Sequence, residues 1–387
     1  MNFIGLDLGT GTIKGVLWNP AAGILASGKR AVPLQRPQEN FVEIDPEKYF
    51  DTLLDLLKAL SEASADPIES IAFAAASGNT LLCDASGTPQ TPIISWLDRR
   101  IDWRPPEEWE VFSVTGWPAM AAFPLAHLEY FRRTRPELTG KAHFAMNNDW
   151  AAWRLTGSHA LDHSNAVTSQ LQNVRLGKYH FLYLDHFSLT EDRLPLLVET
   201  GETIGTLQAK YCSGNLTPRT RLAAGSFDHP AAARATGVLT PADMLLSCGT
   251  SWVGFQPIEL SSQVVRGELF DPFQSRSGGY AAKMFSLEAV GVKIDRFVRE
   301  HYGDVPDAFD RFNADPEALP LMQGIVDNVV ARIKKAAPER IIMTGGPSEG
   351  PAWRRLLLEQ LPQLEFSPYQ SCAGAVGAAM IAQGGIK

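Results

Sequence analysis

The sequence predicts an α/β protein built from two related domains, and three observations carry that expectation. The chain opens with Phe3-Ile4-Gly5-Leu6-Asp7-Leu8, a tip of Gly9-Thr10-Gly11-Thr12, and a second apolar run from Ile13 to Trp18. This reads as a β-hairpin, because glycine reaches the positive φ values of a tight turn and the flanking runs favour strands. Met244 to Phe255 repeats the pattern: an apolar run, a Gly249-Thr250 turn and another apolar run. A whole unit recurring at such a distance implies two related domains. Finally, 387 residues exceed one ordinary core and suffice for two. The expected division is 1–240 and 241–387.

Composition narrows the partners. A net charge of −8 with no basic run argues against nucleic acid or an anionic membrane surface. No apolar run reaches the roughly 18 residues of a membrane span, and no signal peptide precedes the first strand. A cytoplasmic protein acting on small molecules is therefore expected, as a monomer or homodimer. The four cysteines, Cys83, Cys212, Cys248 and Cys372, form no Cys-x-x-Cys pair, so they read as small buried hydrophobes.

In chain order, the first hairpin already holds a candidate site. A tip of small residues lets backbone N–H groups approach a phosphate, and Asp7 at the strand end could hold magnesium or its water shell. Equally, Asp7 could satisfy nearby backbone donors. A third strand is expected over Ile24–Val32. A helix follows, with Asp45 as its cap, Pro46 at its first position and apolar residues at Tyr49, Phe50, Leu53, Leu54, Leu57 and Leu60. Ile71–Ala76 reads as a buried strand running into the polar loop Ser77-Gly78-Asn79. After the turn Asp84-Ala85-Ser86-Gly87, a returning strand ends at Trp96-Leu97-Asp98-Arg99-Arg100. Hydrogen-bonding groups beside an aromatic face suit a polyhydroxylated ligand, and a surface ion pair between Asp98 and Arg100 is the plainer reading.

Further on, a helical pattern covers Leu125, Leu128, Tyr130 and Phe131 and ends in the basic patch Arg132-Arg133-Thr134-Arg135-Pro136, a solvated helix end. Next comes Asn147 to Thr156, a helix capped by Gly157, with Asp149 as a cap or a sugar ligand. His159 and His163 lack metal-site spacing and read as exposed loop residues. Leu222 to Gly237 predicts a strand, a turn at Gly225 and an alanine-rich helix from near Pro230 to Gly237, which sets Asp228 at a helix N-terminus. That position serves either an N-cap or a general base kept ionised by the helix dipole. Beyond the second hairpin, helices are expected over Ala289–Tyr302 and Leu321–Lys335. Arg340–Thr344 reads as a strand running into Gly345-Gly346-Pro347-Ser348, where bare backbone could accept a flat nucleobase. The small residues of the last helix, Ala373 to Ala382, permit close packing.

Taken together, Gly5-Leu6-Asp7-Leu8-Gly9-Thr10, Trp96-x-Asp98-x-Arg100, Asp149-Trp150 with Arg154-Leu155-Thr156-Gly157, Gly225-Ser226-Phe227-Asp228, Ser247-Cys248-Gly249-Thr250-Ser251-Trp252 and Thr344-Gly345-Gly346-Pro347-Ser348 resemble, in order and spacing, the FGGY family of carbohydrate kinases. The resemblance implies two ribonuclease H-like (actin-like ATPase) domains facing across a cleft in which ATP meets a sugar or polyol. It assigns the sugar to the 1–240 domain and the nucleotide to the 241–387 domain. Phosphate contacts would fall on Gly9, Thr10, Gly11, Thr12, Gly249 and Thr250, and adenosine contacts on Gly345, Gly346 and Ser348. Magnesium would fall to Asp7, substrate contacts to Ser77, Gly78, Asn79, Trp96, Asp98 and Asp228, and the catalytic base to Asp228.

The departures from the family pattern are specific. His127 and Tyr130 stand where lysine and tryptophan are usual, and the region after Phe255 is short. Ser77-Gly78-Asn79 stands where xylulose kinases tend to carry Met-His-Gly and glycerol kinases an Arg-Glu pair, and these small residues read as extra room for substrate. The expected reaction is in-line transfer of the ATP γ-phosphate to a hydroxyl of a pentulose or related sugar or polyol, aided by domain closure that excludes water. A catalytically weak sugar- or nucleotide-binding relative is the alternative.

Overall fold

A computed structural model describes residues 1–76, 78–249 and 251–384. Its chain divides into two compact units. The first holds Met1–Ala231, Phe270–Pro272 and the C-terminal segment from Gly374, and the second holds Ala232–Leu269 and Phe273–Ala373. A single cut at 240 therefore does not describe the packing, because two later segments pack with the first unit.

The first unit is organised by a mixed sheet in the order Gly23–Ala31, Thr12–Asn19, Asn2–Leu8, Ile68–Ala75, Arg221–Phe227, Thr203–Thr206. Asn2–Leu8 pairs antiparallel with the second hairpin strand but parallel with Ile68–Ala75, and Arg221–Phe227 continues the parallel run. In the second unit the strands Ala281–Leu287, Trp252–Ile258, Asp243–Cys248, Arg340–Thr344 and Leu364–Phe366 follow the same order. There the two hairpin pairings are likewise antiparallel and the next two parallel. The repeated hairpin thus belongs to a repeated five-strand topology, that of two ribonuclease H-like domains. In these two sheets the strands Thr203–Thr206, Leu269–Asp271, Ala281–Leu287 and Leu364–Phe366 are ones the sequence reading lacks.

Local rules account for most elements. Asp45 accepts the backbone N–H of Glu47 and of Lys48, both at 3.1 Å, and so caps the helix Pro46–Glu62. That helix turns Tyr49, Phe50, Leu53, Leu56, Leu57 and Leu60 into the first core, beside Ile4, Leu6 and Ile71 of the sheet. Gly157 ends the helix Asn147–Thr156 at φ 85°. The helix Leu319–Ala336 lays Met322, Ile325, Val326, Val329, Val330 and Ile333 onto the second core with Trp252 and Trp353.

The terminal helix Ala373–Gln383 rests on backbone through its small residues. A methyl group at Gly377 would run into the carbonyl oxygen of Ala231, and one at Gly5 into the carbonyl oxygen of Ala375. Neither carbonyl can move without breaking its helix. Gly377→Ala is accordingly expected to lower the melting temperature by several degrees or to prevent recovery of folded protein. Gly324 lies inside the helix Leu319–Ala336 with nothing within 4 Å of its added methyl, so Gly324→Ala should stabilise by about 0.5–1 kcal/mol. Thermal denaturation of the two variants, read against the parent protein, checks both signs.

Candidate active site

In the first unit the strands Asn2–Leu8, Ile68–Ala75 and Arg221–Phe227 are parallel neighbours, so their C-terminal ends share one edge of the sheet. From that edge emerge the Gly9–Gly11 turn, the loop around Gly78 and Asp228. Ligands of such sheets collect at the carboxyl ends of strands because loops there are free to vary while the strands hold them in place. The topology thereby brings together residues more than two hundred positions apart in the chain.

Asp228 opens the helix Asp228–Thr236 after an irregularity in its strand. The pairing register with Ile68–Ala75 shifts between Ala223 and Ser226, and a methyl at Gly225 would run into the carbonyl oxygen of Phe73. Only glycine allows that backbone approach, and the resulting bulge re-aims the end of the strand. The N–H of His229 donates to Asp228 Oδ1 at 2.8 Å. Asp228 keeps 27 % of its side-chain surface, enough to meet a ligand. Burial nevertheless pushes its carboxyl up to about 7, against the opposing pull of the His229 N–H and of the Lys14 charge.

Asp7 shares this environment. Its carboxyl is raised to about 6, first by burial and next by the charge of Asp228, while Lys14 and His229 pull it back. Lys14 lies directly opposite Asp7 in the hairpin register, which puts both side chains on one face. A methyl on Gly374, in the first turn of the terminal helix, would sit 2.9 Å from Asp7 Oδ2. The His229 ring is pushed down to about 4 by burial and is neutral near pH 7. Lys14 and His229 were not singled out from sequence, although hairpin register would have found the first. Among the described residues no group of three or more His, Cys, Asp and Glu side chains forms a metal shell. A single carboxylate at a strand end is a donor set of the kind magnesium takes when it keeps most of its waters.

At the hairpin tip, glycine at position 9 avoids Thr12, whose carbonyl oxygen would lie 2.8 Å from an added methyl, while Gly11 faces open space. Thr10 Oγ1 accepts the indole N–H of Trp96 at 2.7 Å, which ties the Trp96 loop to the tip. The backbone N–H of Trp96 donates to Asn79 Oδ1 at 3.0 Å, and Asn79 Nδ2 donates to Asn147 Oδ1 at 2.9 Å. Both ends of the buried Asn79 amide are therefore used in bracing the loop.

Ser77 lies outside the described residues. Gly78 adopts φ 95°, and a methyl there would meet the Phe123 ring at 2.6 Å. The expected room beside this loop is thus filled by Phe123. From Phe123 an aromatic series continues through Trp117 and Phe227 to His229, with ring centroids 5.7, 5.9 and 5.1 Å apart. It links Gly78 to the neighbour of Asp228. No periodicity marks Trp117 or Phe123 in the sequence, and only the fold aligns them.

Other expectations change on burial. Asp98 is 1 % exposed and accepts the N–H of Val42 at 2.6 Å, the N–H of Arg100 at 2.8 Å and two guanidinium bonds from Arg100. Arg100 also pairs with Glu43 at 2.8 Å. The Asp98–Arg100 pair is therefore buried rather than on the surface, and its carboxylate is saturated within the protein. Asp149 accepts the Met146 N–H at 2.8 Å and faces His159 Nε2 at 3.0 Å, so it caps its helix. His159 stacks on Trp153, and His163 is buried at a helix start with its Nδ1 2.8 Å from Gln172 Nε2. Neither histidine is the exposed loop residue expected.

The second unit repeats the arrangement. Asp243–Cys248 and Arg340–Thr344 are parallel neighbours, so the turns at Gly249 and Gly345 leave one edge of that sheet. The Gly249 N–H is bonded to the Ser251 carbonyl at 3.1 Å, and Thr250 lies outside the described residues. Gly345 has φ 100°, and a methyl on it would run into the Cys248 carbonyl oxygen, whereas Gly346 faces open space. The buried Ser348 hydroxyl donates to the Gly345 carbonyl at 2.6 Å and so braces the turn.

Comparison with known proteins agrees with this geometry. Residues 2–234 match the model of the N-terminal domain of the FGGY family of carbohydrate kinases. The chain is 27 % identical to xylulose kinase of Escherichia coli strain K12 over 262 residues, which cover 65 % of this chain and 54 % of that protein. It spans about half the length of the curated relatives it matches. Among solved structures, ligand-bound xylulose kinase from Lactobacillus acidophilus superposes with a TM-score of 0.86 at 17 % identity, covering 99 % of this chain and 89 % of that one. Plasmodium falciparum glycerol kinase with ADP superposes with a TM-score of 0.84 at 14 % identity, covering 98 % and 88 %. At these identities the structures establish a shared fold. With more than half of its length matched by the family model and both sheets ordered alike, the chain belongs to the FGGY family of carbohydrate kinases.

Proposed function

We propose that the protein is an ATP-dependent kinase of a pentulose or related sugar or polyol. The observation that carries this reading is the pair Asp7 and Asp228, set at the ends of parallel strands on one sheet edge, both raised by burial and Asp7 also by the charge of Asp228. Two nearby carboxylates with unequal surroundings allow a division of labour in which one faces a cation and the other a proton. Family membership and the fold shared with an ADP-bound glycerol kinase support the nucleotide as the second substrate.

In this reading the Gly9–Thr12 turn offers backbone N–H groups to the phosphates, and Gly345-Gly346 accepts the adenine; the Gly249 N–H is taken by the Ser251 carbonyl. Asp7 would hold magnesium, and the ion would supply neutralisation of phosphate oxygen charge. Asp228 takes the proton from a sugar hydroxyl as that oxygen bonds to the γ-phosphorus. The bond from phosphorus to the bridging oxygen breaks, and ADP leaves with that electron pair. Positioning and charge neutralisation lower the barrier. Trp96 and the Phe123–Trp117–Phe227 series present apolar faces to the C–H surface of the sugar. Asn79 and Asp98 contribute by holding Trp96 and its loop, since their polar atoms are already paired. Phe123 closes the space beside Gly78, which favours acceptors with a short end on that side.

Four measurements test this reading. Calorimetry should show ATP binding that strengthens with magnesium, and no binding at millimolar nucleotide would remove the kinase assignment. ADP release across ketoses, aldoses and polyols should favour a pentulose or a compact polyol. A hexose as best acceptor would contradict the role given to Phe123. Asp228→Asn should cost about 10²–10⁴-fold in turnover with the melting temperature and ATP affinity retained, because its amide oxygen can still accept the His229 N–H. In the parent enzyme kcat/KM for the sugar should fall as pH drops below about 7, since the base must be ionised and its carboxyl is raised to about 7 by burial. Wild-type turnover in Asp228→Asn would withdraw the base assignment.

A further inference from the structure

Residues Phe270–Pro272 pack with the first unit although the chain reaches them only after the second hairpin. Their bonds there are directed. The Phe270 N–H donates to the Gly116 carbonyl at 3.0 Å, and the Phe270 carbonyl accepts the Trp117 indole N–H at 2.7 Å. The carboxylate of Asp271, 1 % exposed, accepts the Ser164 hydroxyl at 2.7 Å on Oδ2. Ser164 Oγ in turn accepts the Phe227 N–H at 3.1 Å.

The direction of this chain is fixed by chemistry. A backbone N–H can only donate, so the Ser164 oxygen must accept from Phe227, and its single proton must then go to Asp271. An ionised carboxylate accepts and cannot donate, which holds the hydroxyl in that one orientation. The far side of Phe227 is pinned as well, since the Ser226 hydroxyl donates to the Phe227 carbonyl at 3.0 Å. Phe227 is the last residue of the strand, immediately before Asp228 and just past the bulge at Gly225. Past the bulge the ladder resumes with Phe227 opposite Ala75, and the Ser164 bond adds a second hold on the direction in which Asp228 leaves.

We propose that Asp271, acting through the Ser164 hydroxyl on the Phe227 N–H, is a positioning residue that sets the aim of the Asp228 carboxylate. The proposal rests on the reading of Asp228 as the base. Asp271 acts through Ser164, and the effect is on geometry: a misplacement of order 1 Å at a reacting group can cost about 10²-fold in rate.

Ser164→Ala and Asp271→Ala remove the two links in turn, whereas Ser164→Thr and Asp271→Asn keep a hydroxyl and an oxygen acceptor. The alanine variants are expected to lower kcat about 10- to 100-fold while KM for MgATP stays within about twofold. The conservative variants should restore most of the loss. The double alanine variant should be no worse than either single one, because both break the same chain. Hydrogen exchange of the peptide carrying the Phe227 amide should quicken in the alanine variants and not in the conservative ones, a readout that needs no turnover. Unchanged kcat in folded alanine variants, or equal loss in all four, would overturn the proposal. If the parent protein phosphorylates no acceptor, the kinase reading fails by itself. Exchange then decides the relay alone, and an unaltered Phe227 amide would overturn it too.

Discussion

Backbone meeting backbone in the first unit is the constraint on which the rest depends. The helix Ala373–Gln383 lies on the central strand Asn2–Leu8 and against the end of Asp228–Thr236, and glycine at 5 and 377 is what allows it. Protein interiors are packed densely enough that a single added methyl at such a contact has nowhere to go. The same closeness recurs at the functional edge, where Gly225 passes the Phe73 carbonyl and Gly345 passes the Cys248 carbonyl. Without it the strand ends could not deliver Asp228 and the Gly345 turn where they stand.

That packing also creates the electrostatics of the site. Asp7 and Asp228 are drawn out of bulk water by the helices laid around them, and loss of hydration is the leading reason both carboxyls rise. Lys14 opposes the rise in both. An acid poised near neutrality can accept a proton and release it again, which is what a general base must do in each turnover. Asp98, more deeply buried, is surrounded by donors and a guanidinium instead. Two kinds of buried aspartate thus stand within one unit, separated by whether their oxygens are already satisfied.

The repeated topology explains why two hairpins so far apart in the chain look alike. Each begins its sheet, and in each the next two strands run parallel to the first. Tips and strand ends then fall on one edge of their own sheet. The second unit reaches this pattern with a short stretch after its hairpin, and Trp252, Trp353 and Phe312 fill a core of their own there.

Sequence alone determined whatever depends on neighbours in the chain. The Gly9–Thr12 and Gly249–Thr250 hairpins, the cap at Asp45, the helix stop at Gly157, the strand into Gly345 and the helix after Asp228 all follow from local rules of turn, cap and periodicity. Their order also carried the family. Tertiary structure decided what depends on burial and on partners distant in sequence. It turned Asp98 and Arg100 from a surface pair into a saturated buried one, took His159 and His163 out of solvent, and moved Phe123 into the space beside Gly78. It also sent Phe270–Pro272 and the last helix back to the first unit. None of these leaves a periodic trace, because desolvation and hydrogen-bond satisfaction are properties of the surroundings in space, and the residues that form those surroundings come from other turns and segments of the chain.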